Sequence, residues 1–132
     1  MKYPGRIGSA AVLAATALHS DGTITQIDAV DTGQSATCWV TADGGQLFTS
    51  NTGSGNVTRF TSDAQGQLTL LGQTATDPGT VDSSATPDGR FLYVQAGGDG
   101  SVDEFSVTTG TLTEIGSVVV PGAVGGEGIA AV

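Results

Sequence analysis

The sequence predicts an all-β fold of four-stranded antiparallel sheets repeated along the chain, and three observations predict it. Asp21–Ile27 (DGTITQI) recurs as Gln65–Leu71 (QGQLTLL) and Thr109–Ile115 (TGTLTEI), starting at 21, 65 and 109, in steps of 44. Ala42–Phe48 (ADGGQLF) returns as Pro87–Tyr93 (PDGRFLY), and Gly55–Phe60 (GNVTRF) as Gly100–Phe105 (GSVDEF), each 45 residues on. Between landmarks, apolar residues alternate or form short runs bounded by Asp-Gly or Gly-Ser, the period of strands and not the 3.6-residue period of helices. A meander of this size cannot bury both faces alone, so units must stack; radial stacking gives a β-propeller. A Greek-key sandwich would need irregular spacing and a long crossover, and neither is visible.

Residues 1–34 read as an incomplete first blade, strands c and d, with a poorly matched N-terminus. Lys2, Arg6 and the apolar run at 9–18 imitate a short secretion signal with a cleavage site at Ala15–Ala17. The repeat that follows in register favours an edge strand there. The blade at 35–79 has strand a at 38–42, b at 46–50, c at 56–61 and d at 67–74; the blade at 80–122 has them at 83–86, 91–95, 101–106 and 111–119. Gly44 and Gly89 follow Asp43 and Asp88 to supply the positive φ of the a-to-b turns, as Gly66 and Gly110 do before strand d. Residues 123–132 end in a lone innermost a strand, 128–132. Eleven strands, four to a blade, make about 2.75 blades.

Composition narrows function by exclusion. In 132 residues there are 13 acidic and 4 basic side chains, a net charge of −9, and the pI is near 4.1; such a chain repels phosphate backbones, so nucleic-acid partners are excluded. The single Cys38 closes no internal disulfide, and the single His19 supplies neither a multi-histidine metal site nor, in the segment that matches the repeat least, a catalytic triad. No apolar run approaches the roughly 18 residues of a membrane-spanning helix, and no membrane partner is expected. Cys38 and Trp39 read as buried core of strand a. No cofactor is expected.

Trp39–Val57 followed by Gly66–Leu71, and Thr86–Val94 followed by Gly100–Phe105, resemble the lactonase family of β-propellers, the 6-phosphogluconolactonase-like proteins. The resemblance covers about residues 20–132 and is specific because PDGRFLYV is coupled to GSV and GTLT at fixed distances. It implies a seven-bladed propeller, hydrolysis of a sugar lactone such as 6-phosphogluconolactone, and small-molecule ligands at the central opening. Seven units of 44 residues need about 308 residues against the 132 here, so the chain is expected to be the C-terminal third of such a ring. Residues 1–11 match no part of the repeat, which fits a start inside a longer ancestor. In the family the terminal strand pairs with N-terminal strands to close the ring, and here it has nothing to grip. Closed propellers have at least about four blades, so either copies associate as a homo-oligomer that continues the ring or the chain is an open fragment. Both stay open.

Turns of a meander alternate between its two ends, which sorts the polar residues. Asp43, Gln65, Asp88 and Thr109 fall at one end as turn formers. Asn51–Ser54, Asp77, Asp82, Gln95–Asp99 and Glu127 fall at the other, where different blades converge. Thr37, Asp82 and Glu127, 45 residues apart, each open an a strand beside the axis. Asp82 and Glu127 are the candidate catalytic pair, a general base for water attacking a lactone carbonyl, with Asn51 or Gln95 as the substrate-binding amide that steadies the oxyanion. Against this stands the commonplace of a solvated carboxylate at a strand start. Asp99 and Asp103, four apart, lack the ligand series of a calcium loop and read as a hairpin turn. Gly53–Gly55 and Gly97-Gly98 precede no helix and read as b-to-c turns rather than phosphate cradles. Asn56–Thr58 is formally a glycosylation sequon.

Three functions remain: a lactonase-like hydrolase, a non-catalytic propeller module for binding, scaffolding or self-assembly, and a remnant without selected activity. Acidity suits either a cytoplasmic or a secreted protein.

Overall fold

The punctuation of Asp, Gly and Ser resolves into antiparallel strands in the computed structural model, which describes residues 11–109 and 111–132. The turn expected at Gly110 and the basic start of the signal-like stretch lie outside the described residues. Strands β1 (Val12–Leu18) and β2 (Ile24–Asp31) form a hairpin; β3 (Thr37–Asp43), β4 (Gln46–Asn51), β5 (Asn56–Ser62) and β6 (Leu68–Ala75) form one meander sheet. Strands β7 (Thr80–Ala85), β8 (Phe91–Ala96), β9 (Ser101–Thr108) and β10 (Thr111–Val119) form the next, with the same order. No helix occurs among the described residues. The hairpin turns sit on glycines in the left-handed region, such as Gly44 (φ 51°) and Gly89 (φ 69°), a conformation that costs other residues a Cβ clash.

Radial arrangement follows from how the sheets meet. Edge strands β3 and β7 approach more closely than any other strands of the two meanders, and the Thr41 hydroxyl donates to the Ser83 carbonyl at 2.7 Å. These are the a strands, so the inner edges converge, giving a partial β-propeller.

The core lies between the sheets. Phe48 and Val57 of the first meander are buried against Leu92, Val94, Phe105 and Val107 of the second, with Leu112 closing the cluster. Strands β4 and β5, the two central strands of their sheet, carry runs of four consecutive buried residues, Phe48–Asn51 and Val57–Phe60, with the second meander packed on the face that bears Phe48 and Val57. Strand β9 instead alternates: Ser101, Asp103, Phe105 and Val107 are buried, whereas Val102, Glu104 and Ser106 face a side that nothing among the described residues fully covers.

Each c–d pair carries the same defect. Register shifts leave Ile27, Leu71 and Ile115, each 44 residues from the last, as the extra residue of a bulge. A bulge bends the strand and turns its extra side chain aside, which is why these apolar repeat positions are exposed. Ile27 leans on the next unit, where a Cβ on Gly66 would come within 2.8 Å of its Cδ1.

Two expectations fail. Residues 128–132 form no strand, because an a strand needs its b strand and no described residue offers that edge; the segment hangs on β7 instead, where Ile129 N–H donates to Asp82 Oδ2 at 3.2 Å and Ala131 N–H to Ser84 Oγ at 2.9 Å. Cys38 is exposed, not buried, and Trp39 is only half-buried. Thr41 faces the second meander, so Val40 points the opposite way, and Cys38 is the extra residue of a bulge between Thr37 and Trp39, its side chain turned aside. On that side the β1–β2 hairpin meets the start of β6, with Ile27 against Gly66 and Leu68 N–H donating to Asp28 Oδ2 at 2.8 Å, and Val40 stays exposed.

Burial between the sheets should therefore dominate stability. Phe48→Ala is expected to cost about 3–5 kcal/mol in a denaturant titration, whereas Val40→Ser, on the uncovered face of β3, should cost less than about 0.5 kcal/mol.

Candidate functional site

Backbone contact builds the end of the molecule where the a strands begin. Gly97 N–H donates to the Gly79 carbonyl at 2.8 Å, Gly98 N–H to Pro78 at 3.0 Å, and Gly125 N–H to Gly97 at 2.8 Å. Three connections, 77–79, 97–98 and 125–126, thus stack without side chains between them. A Cβ on Gly98 would stand 2.5 Å from the Pro78 oxygen, and one on Gly79 2.5 Å from Gly98 N. The first meander repeats the motif with Gly53 N–H on the Ser35 carbonyl at 3.1 Å. Gly53 and Gly98 of the b-to-c turns are there for close approach, and the sequence alone identified them only as turn formers.

Each expected site residue has a definite environment. Asn51 is buried, and its amide donates to Asn56 Oδ1 at 2.7 Å and Thr58 Oγ1 at 2.8 Å while Oδ1 accepts from the Thr37 hydroxyl at 2.5 Å. Its hydrogen-bonding capacity is spent on holding the β4–β5 turn to the start of β3. Asn56 passes the network on to Gln34 at 2.7 Å, so the sequon amide is engaged within the fold. Asp82 is half-buried; Oδ1 accepts from Ser83 N–H at 2.8 Å and Oδ2 from Ile129 N–H. Glu127, two residues before Ile129, is exposed. Gln95 is buried beside the 125–126 connection: a Cβ on Gly126 would lie 3.2 Å from Nε2, and Oε1 has no hydrogen-bond partner. Asp82 and the segment bearing Glu127 therefore meet through one hydrogen bond.

A second group assembles on the same end, outboard of the inner strands. Asp103 is almost fully buried, its Oδ2 accepts from Asp77 N–H at 2.7 Å, and Oδ1 has no partner. The Ser101 hydroxyl lies 2.9 Å from Asp77 Oδ2 and 2.7 Å from Asp99 Oδ1, and the Ser117 hydroxyl 3.3 Å from Asp77 Oδ2. Burial, with the Asp77 charge adding to it, pushes the Asp103 carboxyl above the usual aspartate range against the hydrogen bonds it accepts. Asp99 is held below that range by the Ser101 hydroxyl and N–H, the ordinary chemistry of a turn. Sequence reasoning placed Asp103 in a hairpin turn; the signal it missed is alternation, because Asp103 shares the side of β9 that carries Phe105 and Val107. Among the described residues no group of three or more His, Cys, Asp or Glu side chains is disposed to hold a metal ion.

The sign of the Asp103 contribution is fixed by linkage. The folded chain keeps its proton to higher pH than the unfolded chain, so stability is lost as pH rises from near 3.8 through the raised value. Asp21, Asp88 and Asp99, whose turn hydrogen bonds hold them low, act oppositely and lose their contribution as pH falls through their lowered range. Asp103→Asn keeps an acceptor for Asp77 N–H. It is expected to raise the melting temperature at pH 7 and to remove the loss of stability that sets in as pH rises above about 3.8, read by circular dichroism across a pH series; an unchanged pH slope would refute the assignment.

A family model described as lactonase, seven-bladed β-propeller, matches residues 6–123. Among solved structures, the chain is similar to the periplasmic gluconolactonase of Pseudomonas aeruginosa, with TM-score 0.72, 22% identity, and coverage of 84% of this chain and 34% of that one. A Lactobacillus plantarum protein aligns with TM-score 0.70 and 18% identity over 83% of this chain and 36% of that one. A functionally unknown protein of Desulfotomaculum acetoxidans aligns with TM-score 0.69 and 21% identity over 77% and 33%. No curated protein matches significantly. The chain spans about a third of the length of these solved structures, and likeness at such identities carries the fold. With the family model covering most of its length, the chain belongs to the lactonase family of seven-bladed β-propellers.

Proposed function

We propose that the chain carries part of a lactone-hydrolysing centre, at the end where β3, β7 and the 128–132 segment begin. The observation that carries this reading is the family match over 6–123, joined to the hydrogen bond that draws the Glu127 segment onto Asp82. In this reading Asp82 takes a proton from water as the oxygen bonds to the lactone carbonyl, and Glu127 is the second carboxylate beside it. The carbonyl oxygen gathers negative charge, which the Gln95 amide steadies. Collapse breaks the ring C–O bond, and the ring oxygen leaves as a hydroxyl on receiving the proton. Gln95 suits the donor role better than Asn51, whose amide hydrogens already serve Asn56 and Thr58. The substrate class is a sugar lactone, 6-phosphogluconolactone being the probe.

A second reading, a non-catalytic binding module, is favoured by one observation: both Asp82 oxygens already accept backbone N–H groups, as a structural carboxylate would. Lactone opening by purified, folded protein separates the two. The hydrolytic reading expects turnover above buffer and a fall of about 10²–10⁴-fold in Asp82→Asn and Glu127→Gln with the circular dichroism spectrum kept. Absence of turnover from folded protein removes it and leaves the binding module.

A further inference from the structure

We propose that this chain self-associates head to tail, the open face of its β7–β10 sheet receiving the open face of the β1–β2 hairpin of a second copy. The inference is independent of the hydrolytic reading. It starts from a packing that the chain already uses within itself. Phe48 and Val57 project from the forward face of one meander and are buried by the next. One period on, the same positions hold Tyr93 and Val102, which lie on the forward face of β8 and β9 and are only half-buried, because among the described residues no further sheet covers them. Val118, paired with Val102, is 51% exposed on the same face.

The opposite end of the molecule presents the matching surface. Leu13, at the repeat position of Val57 and so on the forward face of the hairpin, is buried. Its neighbours Val12 and Leu18, which point the other way, are exposed, as is Ile24 opposite Leu18. This is the rearward face, equivalent to the one with which β9 covers Phe48 and Val57.

The bulge residues supply a second, independent marker. Ile27 rests on Gly66, the glycine of the next unit's c-to-d turn. Ile115, at the same place in the last unit, is 55% exposed. The equivalent glycine one period before Gly66 is Gly22, at the β1–β2 turn, with nothing within 4 Å of its would-be side chain. A second copy's Gly22 is thus the natural seat for Ile115. The 128–132 segment, hung on Asp82 and Ser84, already occupies the place of the next inner strand. One chain therefore exposes both halves of an interface that it satisfies internally, and such a heterologous contact joins copies in series. Glu104 on the forward face, within a net charge of −9 on each copy, opposes the contact, so salt should strengthen it.

Light scattering across a concentration series tests this. The expected result is a mass above 13.0 kDa that rises with protein concentration and with added sodium chloride. Val118→Lys should block the forward face and Leu18→Lys the rearward face; both sites are more than half exposed, so folding, checked by circular dichroism, should persist. Each variant alone should be monomeric, and an equimolar mixture should form dimers and nothing larger, because each partner keeps one usable face. Tyr93→Lys and Val12→Lys form a second pair should either first variant fail to fold. A mass of 13.0 kDa at every concentration, or association untouched by both substitutions, overturns the proposal. Higher oligomers in the mixture would do so as well, since they require some other interface.

Discussion

The constraint on which the rest depends is that a four-stranded meander has two apolar faces and cannot cover either by itself. Phe48 and Val57 are buried only because Leu92, Val94 and Phe105 stand against them. Stability is therefore a matter of neighbours, as in other repeat architectures. The central strands of the first meander, β4 and β5, carry unbroken runs of four buried residues. The last sheet, covered on one face, reads as alternation in β9. Similar sequences thus show two burial patterns according to their place in the series.

The same constraint shapes the end that carries the candidate site. For inner strands to converge, the connections between them must approach to backbone distance. Pro78–Gly79, Gly97-Gly98 and Gly125-Gly126 do so through N–H···O=C bonds, and a Cβ on Gly79 or Gly98 would clash with the backbone it faces. Polar side chains then occupy what space remains. Asn51 ties a turn to β3, Asp82 ties the terminal segment to β7, and Asp77 and Asp103 share a pocket with two serines. Asp103 is the costly member, a carboxyl in a position that its repeat equivalent, Thr58, fills with a neutral hydroxyl. Holding the 76–80 connection through the Asp77 N–H offsets part of that cost.

Much of this was legible in order along the chain, because the period that places strands is local. Asp-Gly and Gly-Ser turns, the GTLT landmark and the alternation around Val57 and Phe105 put the meander strands within a few residues of where they lie. What was not legible concerned cover. Cys38 and Trp39 sit in an apolar run that reads as core, yet β3 is an edge strand whose register shift between Thr37 and Trp39 leaves Cys38 as the extra residue of a bulge, facing solvent. Residues 128–132 have the composition of a strand but no edge to pair with. Nor did residue type separate Asn51, whose amide is consumed, from Gln95, whose carbonyl oxygen is buried without a partner.

By itself, the sequence determined the repeat length, the all-β class, the meander order and the family likeness, since each rests on spacing and turn chemistry within some forty-five residues. Tertiary structure alone decided which faces are covered, which glycines exist for close approach rather than for turning, and that Asp103 lies buried against Asp77. Burial and proton affinity are set by what arrives from elsewhere in the chain, and no local pattern carries that information.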